Sequence, residues 1–181
     1  MENLEEQAIE LDGETLLELS LSNLRNNVKR DFGNTRETKA NSISISNYDM
    51  IPSVGEKTLL IKARVRGQEG KNYQSQVRFV NVGFTTEAQP GFTQIKAVDG
   101  QDYYVKQFTA SQTQAKVKCN CLDFYWRFAV WNHAKKSLEG DPPPPYVKKT
   151  DSPPVNPNKT PGSCKHIIKL ISFLRTEQIL R

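Results

Sequence analysis

A chain of 181 residues with 36% hydrophobic residues and a mean hydropathy of −0.62 fits one domain, or one domain with an appendage, around a core of moderate size. Its 25 basic and 20 acidic residues leave a formal charge of +5, mildly basic and well mixed in sign, which permits an acidic partner without demanding one. No apolar run reaches membrane-spanning length, the acidic start MENLEEQAIELDGE does not read as a secretory leader, and three cysteines do not suggest a disulfide framework; the expectation is a soluble protein made in a cytosol.

In chain order, residues 1–30 are predicted helical. Leu16, Leu17, Leu19, Leu21, Leu24 and Val28 recur at roughly helical spacing, and Gly13 splits a frayed start from a firmer second part. Asp31 to Asn41 turns polar and reads as a linker. Strands follow. Ser42 to Ser46 alternates strictly, Thr58 to Gly67 alternates over Ile61, Ala63 and Val65, and Tyr73 to Phe84 alternates over Val77 and Phe79. The turn QEGKN joins the last two as an antiparallel hairpin whose polar face would carry Lys62, Arg64, Arg66, Lys71 and Arg78. A shorter hairpin pairs GFTQIKAV with QDYYVKQF across Asp99-Gly100, and AKVKCNC is a last strand.

The period then changes. Leu122 to Lys136 sets Phe124, Phe128 and Trp131 at helical spacing; these three are expected to pack beneath the cysteines and against Ile167, Leu170 and Ile171. Glu139 to Gly162 holds eight of the ten prolines. Proline fixes φ and lacks an N–H, so this segment is predicted to be a stiff, extended loop. Its Pro142, Pro143, Pro144, Pro145 and Tyr146 read first as a rigid brace, and second as a polyproline ligand for a partner. A second helix starts at Cys164, with Ile167, Leu170, Ile171 and Leu174 on its apolar face. The expected class is therefore α+β: an N-terminal helix and linker over 1–40, antiparallel β-hairpins over 41–116, and a strand-turn-helix, loop and helix unit over 117–181 with the proline-rich loop at 139–163.

All three cysteines and one of the two histidines fall into two tight pairs, Cys119-x-Cys121 and Cys164-x-His166. Bridging Cys119 to Cys121 would close a strained ring. Three thiolates and an imidazole make a complete tetrahedral set for a structural zinc ion, needing no water. Buried cysteines acting as small hydrophobes are the plainer alternative. His133, one turn beyond the aromatic run, reads as a surface or core-edge residue. No phosphate-binding glycine motif is present, neither histidine has an evident nucleophile to serve, and no enzyme activity is expected.

The C-x-C and C-x-H pairs resemble the SWIM-type zinc finger. More specifically, CNCLDFYWRFAVWNHAKKSLEGDPPPPYVKKT and PPVNPNKTPGSCKH resemble a zinc-binding family of tailed bacteriophages, over about Val117 to Leu174. The long proline-rich insertion departs from ordinary SWIM units. The resemblance implies a zinc-stabilised structural or assembly component of the virion, in the neck, tail or baseplate region. Such a component would be made in the host bacterial cytoplasm and would contact other virion proteins in a symmetric assembly. The alternative is a nucleic-acid-binding accessory protein using Lys62, Arg64, Arg66 and Arg78.

Overall fold

The computed structural model describes residues 19–144 and 151–181. The predicted helix over 1–18, Pro145, Tyr146, Lys148 and Lys149 lie outside them.

Helix α1 (Leu21–Phe32) begins at a capping box: the Ser20 hydroxyl accepts the Asn23 N–H, and the Asn23 carboxamide oxygen accepts the Ser20 N–H. Leu21, Leu24 and Val28 form its buried stripe, and Gly33 ends it at φ 68°. The polar stretch expected to be a linker is instead helix α2 (Thr35–Asn41). Its hydrophobic content is too low to reveal it, since only Ala40 is buried. Ion pairs hold it: Glu37 meets Arg25 on α1, and Arg36 meets Asp123 across the molecule.

A four-stranded antiparallel sheet follows, in the order β1 (Ser44–Ser53), β2 (Thr58–Arg66), β3 (Asn72–Phe79), β7 (Ala115–Cys119). Strand β1 runs well past the alternating SISIS, through Asn47, Asp49 and Pro52, with a bulge between Ile45 and Asn47. The β2–β3 hairpin turns at Gly67–Lys71, with Gly70 at φ 74°. The run expected to continue to Phe84 stops at Phe79. Asn81 takes φ 61°, and Phe84 joins a second, smaller sheet ordered β4 (Phe84–Thr85), β6 (Asp102–Lys106), β5 (Phe92–Lys96). Its Asp99-Gly100 hairpin forms as the sequence predicts.

Alternation, interrupted at the start of β2 where Thr58 and Leu60 are also buried, gives the large sheet two unlike faces. Leu59, Ile61, Ala63, Val65, Val77, Phe79, Ala115 and Val117 point inward and are buried. Helix α5 (Lys165–Thr176) packs on that face with Ile167, Ile168, Leu170, Ile171 and Leu174 buried, so one core draws on residues from Leu21 to Leu180. The fold is α+β.

The chain leaves β7 into α3 (Leu122–Phe124), a π-helical turn (Tyr125–Ala129) and α4 (Val130–Ala134). Phe124, Phe128 and Asn132 are all buried, four residues apart. On a regular α-helix such spacing drifts by about 40° per step. The wider π turn absorbs the drift and keeps all three facing inward. Trp131, expected in the core, is half-buried, with Lys159 5.7 Å from its ring centre.

The returning end of the proline-rich segment is held by two buried asparagines. Asn132 exchanges hydrogen bonds with Gly162, donating to its carbonyl (2.9 Å) and accepting its N–H (2.7 Å). Asn156 donates to the carbonyls of Arg127 and Thr160 and accepts the Thr160 N–H. Gly162 passes so close to α1 and the π turn that a Cβ there would lie 2.6 Å from Val28 and 2.8 Å from Phe128. Gly162→Ala should therefore cost about 1–3 kcal/mol of stability, read as a lower urea midpoint at unchanged slope. An unchanged midpoint would refute the tight crossing.

Candidate metal centre

Two extended stretches deliver the four candidate ligands. Cys119 is the last residue of β7 on the inward face, opposite Ser75 on β3. Asn120 continues the ladder for one more residue: its N–H donates to the Gln74 carbonyl and its carboxamide oxygen accepts the Gln74 N–H. Cys121 then returns to the face of Cys119, as alternation on a strand requires. It is also the N-cap of α3, its sulfur accepting the Phe124 N–H at 3.4 Å. Cys164 is likewise the N-cap of α5, and His166 follows in that helix's first turn. Both helices flanking the proline-rich excursion thus start on a ligand cysteine, where the positive end of the helix dipole favours a thiolate.

The donor atoms of Cys119, Cys121, Cys164 and His166 all lie within 4.8 Å of one another, and all four residues are buried. The Nδ1 of His166 is 3.7 Å from the Cys119 sulfur and 3.8 Å from the Cys164 sulfur. Metal–sulfur bonds of about 2.3 Å and a metal–nitrogen bond of about 2.0–2.1 Å give tetrahedral edges of about 3.5–3.8 Å, so the donor set fits a metal ion. The Tyr73 ring stacks on the imidazole at 4.3 Å between centres, and the Ser75 hydroxyl lies 3.5 Å from the Cys119 sulfur. His166 Nε2 is buried without a hydrogen-bond partner among the described residues, which leaves Tyr73 to orient the ring from its face.

The sulfurs are electrostatically unequal. Hydrogen bonds from Cys121, Cys164 and Ser75 hold the Cys119 thiol well below its usual range. Burial pushes the Cys164 thiol well above it. A central cation would take the place of the protons these sulfurs share.

The other expected site residues are dispersed. His133 is exposed on α4, apart from the cluster. Pro142 and Pro144 are exposed and Pro143 is half-buried, in irregular backbone. Lys62, Arg64 and Arg66 do line the outer face of the large sheet and are exposed. Arg78 shares that face but is not a free cation: its guanidinium grips Glu139, which is buried, at 2.7–3.0 Å. Register places Lys116 beside Arg78 and Lys118 beside Gln76, so β7 supplies two cations to this face that the sequence reading left out. Their alternation in AKVKC is the signal that could have found them.

Metal removal by a strong chelator should cost several kcal/mol and lower Tm by more than about 10 °C. Cys164→Ser should do the same and abolish stoichiometric metal in elemental analysis. Acidification should release the ion, because the sulfurs and the imidazole must be deprotonated to bind it. Comparison of the chain with family models, with curated proteins and with solved structures gives no match, so the centre is read from its own donors and geometry.

Proposed function

We propose that the chain is a structural, non-enzymatic component of a tailed-phage virion, stabilised by a zinc ion and acting through protein–protein contacts. The observation that carries this reading is a donor set complete in itself: among the described residues, four candidate protein ligands, all buried, with donor atoms within 4.8 Å of one another. A catalytic zinc keeps a coordination position open for water or substrate, whereas a closed set serves the fold. Three sulfurs and one imidazole nitrogen are the donors zinc prefers. The phage assignment rests on the motif run from Val117 to Leu174.

Contact surface lies beside the centre. Leu122 is 71% exposed, Trp126 48% and Tyr125 39%, on one side of the segment whose other side buries Phe124 and Phe128. Large aromatic groups displayed on a rigid, ion-anchored segment are what protein interfaces use as anchors. Mass spectrometry of purified particles should find the protein in the virion, and Cys164→Ser should leave particles lacking it or misassembled. Normal particles that retain the variant protein would sink the proposal.

A second reading, nucleic-acid binding, is favoured by one observation: the outer sheet face displays Lys62, Arg64, Arg66, Lys116 and Lys118 among Gln74 and Gln76, and Asp49 is the only acid on its strands. Side chains of these types contact phosphate and sugar without reading sequence. Under this reading DNA binding weakens steeply with salt, and Arg64→Ala with Lys118→Ala flattens the salt slope by about one to two units. Absence of any salt-sensitive mobility shift removes it.

A further inference from the structure

We propose that the cleft between α2, the first turn of α3 and the start of α5 is a binding site for a phosphate-bearing ligand. The cleft measures about 500 Å3, within the range of small-ligand sites. Arg36, Lys39, Arg127 and Lys165 line it, against a single carboxylate, Asp123. It lies apart from the outer sheet face, and it does not depend on the virion reading.

The cations are held in a definite arrangement. Arg36 donates two parallel hydrogen bonds to Asp123, at 2.9 and 2.8 Å, while its guanidinium carbon sits 5.1 and 5.4 Å from the ring centres of Phe32 and Phe128. Arg127 donates to the same carboxylate from one helical turn away. One anion thus fixes two guanidiniums and neutralises only one charge.

Lys39 and Lys165 have no side-chain hydrogen bond or ion pair among the described residues. Four cations and one carboxylate leave the cleft three positive charges in excess. Lys165, the first residue of α5, supplies one of these charges. Concave walls concentrate such a field. A phosphate dianion carries the charge and the number of acceptor oxygens to engage two ammoniums and the outer N–H groups of two arginines together, which one carboxylate cannot. Phe32 and Val155 supply an apolar flank for the group that bears the phosphate.

The phosphate can belong to a small molecule or to a nucleic-acid backbone, and the test separates these. The zinc-loaded full chain is titrated at low salt with inorganic phosphate, followed by phosphorus NMR, and with short single- and double-stranded oligonucleotides. Saturable phosphate binding is expected, weakened about tenfold by Lys39→Ala and again by Lys165→Met, and unchanged by Arg64→Ala. Zinc content and Tm matching the parent show that the variants are folded. Oligonucleotide binding lost with the same two lysines assigns the site to backbone phosphate; phosphate binding without it assigns a small ligand. The proposal is overturned if neither probe saturates, if Lys39→Ala leaves binding intact, or if an acidic peptide binds there in preference to phosphate.

Discussion

The approach of Cys119 and Cys121 to Cys164 and His166 is the constraint from which the C-terminal third of the molecule takes its shape. The first pair closes a β-strand and opens one helix; the second opens another helix. The 42 residues 122–163 lie between the pairs, and much of that length is too rich in proline and too poor in apolar side chains to find its own place. A cation at the cluster would join the ends of that excursion and set the sheet, the aromatic segment and α5 in one register. Loop closure of this length is entropically unfavourable, and a multidentate ion is among the few single interactions strong enough to offset it.

The cluster does not act alone. Asn132 and Asn156 tie the returning strand of the excursion to the aromatic segment, with every carboxamide contact inside the protein. Buried amides satisfied in this way specify one arrangement, because any shift strands a polar group away from water. The π turn belongs to the same device. It aims Phe128 at Gly162 and brings Asn132 within reach of the Gly162 backbone, so a local irregularity in one helix places a loop that follows more than twenty residues later.

What the amino-acid order discloses depends on how local the determining physics is. The candidate ligands are legible because cysteine and histidine are scarce here, three and two, and nearly all of them fall in two pairs. The β2–β3 and β5–β6 hairpins are legible because alternation and glycine turns act between neighbours. Helix α2 is not: TRETKAN offers one buried side chain, and its anchors Arg25 and Asp123 come from distant segments. Arg78 reads as a solvated cation because its partner Glu139 is 61 positions away. Asn47, Asp49 and Pro52 are poor strand formers, and pairing with β2 overrides them. Nothing in WNH or NPN announces a buried carboxamide.

Strand β1 is a margin of the large sheet among the described residues, covered at one point where its Met50 carbonyl accepts the Val98 N–H at 3.0 Å. Its backbone is interrupted near one end by the extra residue at Ile45–Asn47 and near the other by Pro52, which has no amide hydrogen to offer. A foreign strand laid alongside would find its ladder of hydrogen bonds broken at both places. Copies of this protein crowded together are thereby steered away from growing into a continuous ribbon, and any ordered packing among them is left to side-chain surfaces of limited extent.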